Sequence, residues 1–526
     1  MGQLSTSTDL ARTTVRSLIE CGVNTFVLSP GSRNAPLSIA LYEASKKGLV
    51  DLHVKIDERG AGYFALGISK ATNHYVAVIC TSGTAAVNYH PAILEAHHGA
   101  NKLLVITADR PARLRSTGAN QTTNQSNIFG DIESHDISHS IDVAALLVGG
   151  PVHLNMQFDE PLLPSDSKDW LAGIKIAPVS PKKESCDAIS ITEGSAIVIG
   201  HDRGTFSVEE IREALAGLRV PIIAEDPLSF PEALAHASII LADEGIRSAL
   251  KADQVIVIGR TTLSRSINAF INEAKHQIVI DPRMATIDIA RTAEQKLHTL
   301  PFFDAHLSGQ YFDNWNLASK NAHADLHNLD PFSEHAVVRT IAELLPEDSA
   351  LFIGSSRPIR DIEAFAAPRK GITVFANRGL AGIDGNISTV FGIAEKFDRT
   401  YAILGDLTFM HDLSALVAPT AANLTIFIID NNGGGIFSTL PQAGVEGFET
   451  IFGTPQNVNL ERVVAGYGIK VEKVKTPSDI ARVISANENN LNVVIIEVPE
   501  RAEMAAGLKE IYQSVSRAVR IGLNLA

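Results

Sequence analysis

The chain has 526 residues, 45% hydrophobic and 20% charged, and its 59 acidic against 45 basic side chains leave a formal net charge of −14. That length is too great for a single core and divides into two to four domains. The acidic balance, with no long basic run, excludes a nucleic-acid footprint, so any anionic ligand has to be met by local arginines.

The first stretch, MGQLSTSTDLAR, lacks an apolar signal core, and no run of about 18 apolar residues follows it, so the expectation is a soluble, cytoplasmic protein without a membrane span. MGQLST satisfies the loose myristoylation pattern, but Ser5-Thr6-Ser7-Thr8 reads better as the cap of a first helix. Three cysteines, Cys21, Cys80 and Cys186, have neither disulfide nor metal-ligand spacing; they fit a reducing compartment and read as small buried hydrophobes.

Short β-branched runs then alternate with helix-length segments. TFVLS, LHVKI, VAVIC, LLVIT and VHLNM form a first set, and the polar, proline-bearing segment 158–185 interrupts the rhythm as a linker. AIVIG, VPIIA, ASIIL, QVIVIG and QIVID form a second set, closed by the polar segment 308–335. ALFIG, ITVFA, YAILG, LTIFIID and VVIIEV form a third. This alternation predicts an α/β protein of three consecutive domains, 1–180, 186–330 and 335–526, each an open parallel sheet flanked by helices.

In open parallel sheets ligands bind beyond the carboxyl ends of strands, so the residues after each apolar run carry the information. After TFVLS comes PGSRNAPLSIAL, which places Ser32 and Arg33 at a helix start, where N–H groups and a guanidinium can meet an anion. After LHVKI comes DERGAGYFALG, with Glu58 expected on the strand tip. After VAVIC comes TSGTAAVN, whose Ser82 and Gly83 let a ligand approach the main chain. After LLVIT comes ADRPARLRSTGANQTTNQ, rich in arginine and amide groups, including Arg110, Asn120 and Gln121. Each alone also suits an ordinary βα turn; four in series carry more weight.

In the third set two strands end in oxygen ligands. Asp406 offers a carboxylate, Asn431 an amide oxygen 25 residues later, and Gly433 a main-chain carbonyl, a donor set for Mg²⁺ (or Mn²⁺) holding a diphosphate. The competing reading makes Asp406 a helix cap and 431–435 a plain turn. The spacing joins the two motifs: a Gly-Asp strand end, one intervening helix in TFMHDLSALVAPTAA, then a buried strand ending in Asn-x-Gly.

Here the chain resembles the thiamine-diphosphate-dependent enzymes, whose cofactor motif begins Gly-Asp, runs some two dozen residues and ends in Asn. The usual third residue is glycine, and here the motif reads Gly405-Asp406-Leu407. The resemblance implies pyrimidine-binding, central and diphosphate-binding domains, with Glu58 at the pyrimidine ring nitrogen. It also implies a homodimer or dimer of dimers, with the active site at the subunit interface. LSPGSRNAPLSIAL, DERGAGYFALG, TSGTAAVN, TADRPARLRSTGANQTTNQ, ANRGLAGIDGNISTVFG, GDLTFMHDLSAL and DNNGGGIFSTLPQ resemble, more closely, the 2-succinyl-5-enolpyruvyl-6-hydroxy-3-cyclohexene-1-carboxylate synthases of menaquinone biosynthesis.

That family decarboxylates 2-oxoglutarate and adds the succinyl semialdehyde carbanion equivalent to isochorismate. Both substrates are dicarboxylates, and Arg33, Arg110, Arg360 and Arg378 lie after strand ends. By resemblance Ser32, Asn120, Gln121 and Ser356 add neutral hydrogen bonds, and Glu58, Arg33, Gln121 and Arg378 form the catalytic group. Ile383 props the bent cofactor, Ser82, Gly83 and Leu407 touch it, and Ile436 and Phe437 line its pocket. The family often shows a Lys-Arg pair reaching in from the central domain; the matching segment GRTTLSRSINAF offers Arg265 followed by Ser266.

His97-His98, at a predicted helix end before Gly99, reads as structural rather than as an acid–base pair. Two alternatives stand beside the main reading. One is another thiamine-dependent 2-oxoacid carboligase of the acetolactate synthase kind; the other is a non-catalytic nucleotide-binding protein, which has no use for Glu58.

Overall fold

The computed structural model describes residues 6–139, 141–177, 188–283, 287–305, 307–417, 423–486 and 490–525; Ser5, Cys186 and the end of the expected linker, 178–185, lie outside them. The β-branched runs form the strands their composition favours. The first sheet holds β1 (Thr25–Leu28), β2 (Asp51–Val54), β3 (Val76–Cys80), β4 (Leu103–Asp109), β5 (Glu133–Ile137) and β6 (Val152–Gln157), in the order β2-β1-β3-β4-β6-β5. The second set gives β7 (Ala188–Ile191), β8 (Ser195–Ile199), β9 (Ile222–Ala224), β10 (Gln254–Ile258), β11 (His276–Ile280), β12 (Gln295–Leu297) and β13 (Phe302–Ala305). Five of these form the sheet β12-β11-β10-β8-β9, and β13 pairs with β7.

The last sheet holds β14 (Ser349–Ile353), β15 (Ile372–Phe375), β16 (Thr400–Gly405), β17 (Leu424–Asp430), β18 (Lys470–Val474) and β19 (Asn492–Glu497), in the order β15-β14-β16-β17-β19-β18. Its strand order repeats that of the first sheet, and the pairings are parallel in both. In each, the strand order reverses beside the founding strand. The crevice outside the carboxyl ends there is where an open sheet takes its ligand.

Packing divides the chain into two compact units. The first comprises residues 1–183, 384–396 and 412–420; the second comprises 184–383, 397–411 and 421–526. In the first unit Phe26, Leu104, Leu154 and Phe158 are buried among the helices that flank the sheet. Thr6 caps the helix Ser7–Glu20, its hydroxyl accepting the Asp9 N–H at 3.1 Å while Asp9 reaches back. The helix Glu58–Thr72 packs on the helix Asn386–Ala394 through two glycines. A Cβ on Gly67 would stand 2.1 Å from the Thr389 carbonyl oxygen, and one on Gly392 2.1 Å from that of Phe64.

In the second unit the central elements share a core with the helices Arg357–Phe365 and Arg501–Gly522. Trp315, Phe365, Val515 and Val519 pack with Val198, Val257 and Phe270. The C-terminal helix Arg501–Gly522 is tied to the central elements by Arg520, whose NH2 donates to Asp243 Oδ1 at 2.8 Å.

Five expectations need correction. ASIIL forms the helix Ala237–Ile240, not a strand, because a short run buried on every side has no period to read. The polar segment 308–335 contains the helix Gln310–Asp325, whose buried Trp315, Ala318, Ser319 and Ala322 mark a narrow helical stripe. The single helix expected after Asp406 is the short helix Asp406–Met410 and then a 3-10 turn, Leu413–Val417, with 418–422 outside the described residues. Between them Asp412 is fully buried, its carboxylate accepting the Ser388 N–H at 2.7 Å. Glu58 opens the helix Glu58–Thr72 instead of ending a strand. Cys80 is buried as expected, but Cys21 is only half-buried.

His97 and His98 lie in the last turn of the helix His90–Gly99, which Ala100 closes in the left-handed conformation at φ 54°. Gly99 therefore stays within the helix.

Candidate active site

In the first unit the predicted residues gather beyond β1, β3 and β4. Asp57 caps the helix that begins at Glu58, its Oδ1 accepting the Arg59 N–H at 3.0 Å, so the glutamate is held on a helix N-terminus by its neighbour. The Glu58 carboxylate lies near Cys80 and Tyr89. Burial above all, with Glu58 adding to it, raises the Cys80 thiol.

Ser32 and Arg33 stand in the turn before the helix Ala35–Lys46. Arg33 NH1 reaches the Phe158 carbonyl at 3.2 Å and Glu160 at 3.4 Å, and its Nε is buried without a partner among the described residues. Arg110 donates to Ser82 Oγ and to the Gln121 carbonyl, both at 2.8 Å. Burial, and then the guanidinium of Arg33, lowers Arg110, so two like charges face one space. Gly83 takes φ 87° and passes the main chain of Gln121, itself at φ 52°. Asn120 and Gln121 are exposed. Arg33, Ser82, Gly83, Arg110 and Gln121 thus belong to one loop cluster that carries two guanidinium charges, with Ser32 next to Arg33 in the chain.

In the second unit, β16 and β17 are register neighbours, Gly405 opposite Ile429. This brings Asp406 beside the 430–433 turn. Asp406 is 4% exposed and its Oδ2 accepts the Gly433 N–H at 2.7 Å. Burial pushes the carboxyl up to about 7, with the main-chain N–H of Leu407 and Gly433 acting against it and Asp430 with it. The contact between Gly433 and Asp406 runs through the Gly433 amide, while the Gly433 carbonyl accepts the Gly435 N–H at 3.0 Å and keeps a second lone pair.

Asn431 Oδ1 is buried with no partner among the described residues. Arg501 holds the loop from behind, NH1 donating to the Asn431 carbonyl at 3.1 Å. A buried carboxylate and an orphaned amide oxygen at adjacent strand ends are hard oxygen donors, and they fit a small divalent cation. Ile436 and Phe437 follow on a 3-10 turn, Phe437 against Phe452 with ring centroids 5.4 Å apart. Leu407 sits half-buried on the helix that Asp406 opens, and Ile383 is half-buried after β15.

Ser356, Arg360 and Arg378 form another cluster in the same unit. Ser356 takes φ 76° at the start of the helix Arg357–Phe365, a strained conformation for a residue with a side chain. Its carbonyl accepts from Arg360 NH1 at 2.5 Å. Burial, then the charges of Arg357 and Arg378, lowers Arg360. Arg378 donates to Glu225 Oε1 at 2.7 Å, and both are nearly fully buried. Burial, then the Glu225 charge, pushes the Glu363 carboxyl up to about 8. Arg265 begins the helix Arg265–Glu273 and is exposed, whereas Thr262 on the same segment reaches Glu363.

The sequence reading missed Glu225 and Glu363. Glu225 directly follows VPIIA, so the strand-end rule that found the arginines would have found it; Glu363 sits within a helix and gives no such signal.

Three family profiles match the chain: the N-terminal TPP binding domain of thiamine pyrophosphate enzymes over residues 8–128, their middle domain over 195–353, and their C-terminal TPP binding domain over 362–498. A relative from Saccharopolyspora erythraea, named 2-succinyl-5-enolpyruvyl-6-hydroxy-3-cyclohexene-1-carboxylate synthase, is 34% identical over 99% of this chain and 100% of its own length. Relatives of the same name from Lysinibacillus sphaericus, 32% identical over 99% of this chain and 100% of the relative, and from Thermobifida fusca, 34% identical over 98% and 100%, extend the likeness. An X-ray structure from Mycobacterium smegmatis, provisionally described as a thiamin diphosphate-dependent enzyme, shares the fold at TM-score 0.65 and 16% identity, covering 94% of this chain and 100% of that one. Profiles along most of the chain, and relatives above 30% identity matched end to end, show that it belongs to the thiamine-diphosphate-dependent 2-succinyl-5-enolpyruvyl-6-hydroxy-3-cyclohexene-1-carboxylate synthase family.

Proposed function

We propose that the chain decarboxylates 2-oxoglutarate and adds the resulting succinyl semialdehyde carbanion equivalent to isochorismate, giving 2-succinyl-5-enolpyruvyl-6-hydroxy-3-cyclohexene-1-carboxylate and CO₂ in menaquinone biosynthesis. The observation that carries this reading is the end-to-end likeness to relatives bearing that name. Nothing in the molecule favours the acetolactate synthase kind. The guanidiniums of Arg33 and Arg110 in one unit, and of Arg360 and Arg378 in the other, supply charge for dicarboxylates.

Thiamine diphosphate, when bound, supplies the electron sink for decarboxylation and carbon–carbon bond formation. The chain supplies position and charge. Asp406, Asn431 and the Gly433 carbonyl would hold the cation, Mg²⁺ or Mn²⁺, that neutralises the diphosphate, with the Gly433 N–H fixing the Asp406 carboxylate. Glu58 exchanges a proton with the pyrimidine ring nitrogen. With the cofactor bound, Ser82, Gly83 and Leu407 would touch it, Ile383 would support it, and Ile436 and Phe437 would line its pocket.

Ser32, Asn120, Gln121, Ser356 and Arg265 complete the substrate contacts around the four arginines. The reading includes three domains (1–180, 186–330 and 335–526), a cytoplasmic location, and a homodimer or dimer of dimers sharing its sites. Among the described residues no helix is long and apolar enough to cross a membrane. The test is CO₂ release from 2-oxoglutarate that requires thiamine diphosphate and a divalent cation, with the cyclohexene product formed only when isochorismate is present. Release without product would redirect the assignment to another carboligase.

A further inference from the structure

Arg378 is the arginine most completely enclosed by its own chain, and the group that encloses it comes from the central elements. Glu225 leaves β9 and is fixed at two points, Oε2 accepting the His201 N–H at 3.0 Å and Oε1 accepting from Arg378 NH2 at 2.7 Å. Its side chain is 2% exposed and that of Arg378 5%. Arg378 Nε has no partner among the described residues, and neither has Glu363 Oε1.

The charges do not cancel. Arg360 and Arg378 bring two cations, while Arg357 beside them is already matched by Asp361. Glu225 brings one anion. Glu363 faces Glu225, Thr262, Arg378 and Arg360, with Tyr512 of the C-terminal helix on a further side, and around neutrality burial and the Glu225 charge keep it as the acid. One guanidinium charge is left unmet in a cluster where Glu225, Arg378 and Glu363 are buried and Arg360 is half-buried. A carboxylate is the ligand that meets it.

We propose that Glu225 is the positioning residue of Arg378, holding its guanidinium for a substrate carboxylate. This rests on the reading of Arg378 as a substrate-binding arginine. The arrangement explains why the central elements, far from the cofactor motifs in sequence, enter carboxylate recognition: Glu225 lies 153 residues before its partner. Glu225 touches no reacting atom in this scheme and acts through the arginine.

The experiment compares Glu225→Gln, Glu225→Asp, Arg378→Lys and the double variant Glu225→Gln/Arg378→Lys, measuring KM for 2-oxoglutarate, kcat, thiamine diphosphate affinity and Tm. Glu225→Gln raises KM about tenfold with cofactor affinity unchanged, and Glu225→Asp recovers part of the loss. In the Arg378→Lys background the same change has less than about a twofold effect, because its route is already broken. A second readout is the pH profile. In the parent, KM rises above about pH 8, as Glu363 ionises and cancels the surplus charge. In Glu225→Gln that rise begins at lower pH, because the neighbouring anion is gone.

Additive effects in the double variant, or an unmoved pH profile, overturn the proposal while leaving Arg378 a substrate residue. An unchanged KM in Arg378→Lys instead removes the reading of Arg378 itself, and the proposal with it. If Glu225→Gln fails to fold, Glu225→Asp carries the same cycle.

Discussion

The main-chain N–H of Gly433 donates to the Asp406 carboxylate at 2.7 Å, joining the ends of two neighbouring strands whose residues lie 27 positions apart. Without a cation, that carboxylate is buried and raised to about 7, so ionising it opposes folding. Such a group contributes stability in its protonated form at low pH, and loses it as the pH rises from the unfolded value near 4 through 7. The amide of Asp406→Asn keeps an acceptor for Gly433 and removes the buried charge. At pH 8 without metal, Asp406→Asn raises Tm by a few degrees, roughly 1 kcal/mol, while abolishing cation-dependent thiamine diphosphate binding in calorimetry. Retained cofactor affinity would remove the cation assignment.

Glu58→Gln preserves shape and a hydrogen bond but cannot exchange the proton. Thiamine diphosphate affinity and Tm stay within error, while turnover of 2-oxoglutarate falls by orders of magnitude, on the order of 10³-fold. Mixing this inactive chain with inactive Asp406→Ala tests the shared site: activity returns if two copies complete one another. Subunit exchange without recovered activity counts against that assembly.

The contact between the helices Glu58–Thr72 and Asn386–Ala394 leaves no room for a methyl group at Gly67 or Gly392, where main-chain oxygens stand 2.1 Å from an added Cβ. Gly392→Ala lowers stability by about 1–3 kcal/mol, read as a Tm shift. Because the first helix begins at Glu58, Gly67→Ala also reduces kcat more than it weakens cofactor binding. An unchanged Tm in both variants refutes the tight crossing.

Two buried histidines make the fold acid-sensitive. His236 lies between the Ala364 carbonyl, 2.8 Å from Nδ1, and His323, 3.0 Å from Nε2, and burial lowers it to about 4. Burial lowers His153, between Thr107 and Ser134, to about 3. Their folded values lie below the unfolded one near 6.5, so the unfolded chain binds more protons in that window. Stability present above about pH 6.5 is lost as the pH falls towards 4. Over pH 7 to pH 5 these two imidazoles lower Tm while the raised carboxyls of Asp406 and Glu363 act in the opposite sense, and His236→Gln removes part of the histidine contribution, an amount on the order of 1 kcal/mol. Parallel Tm curves for parent and variant would contradict the burial of a neutral imidazole.

By itself the sequence determined the parallel α/β class, the inner strands and the strand-end residues. Strands such as β3, β16 and β17 are buried almost throughout and therefore read as apolar runs, and polar residues that follow such runs stand out. The edge strands β5 and β18 escaped for the opposite reason: ESHDI and KVEKV each bury only their last residue, so charge hides them.

Only the tertiary structure decided what is set by contact across long separations. ASIIL is a helix because of what surrounds it. The chain after Met410 turns because Asp412 is drawn into a buried hydrogen bond with the N–H of Ser388. Gly433 meets Asp406 through its amide because β16 and β17 pair in one register. Arg378 reaches Glu225 across 153 residues of chain. Local pattern records which side chains prefer burial, but the partner that satisfies a buried charge is fixed only when the sheets have packed.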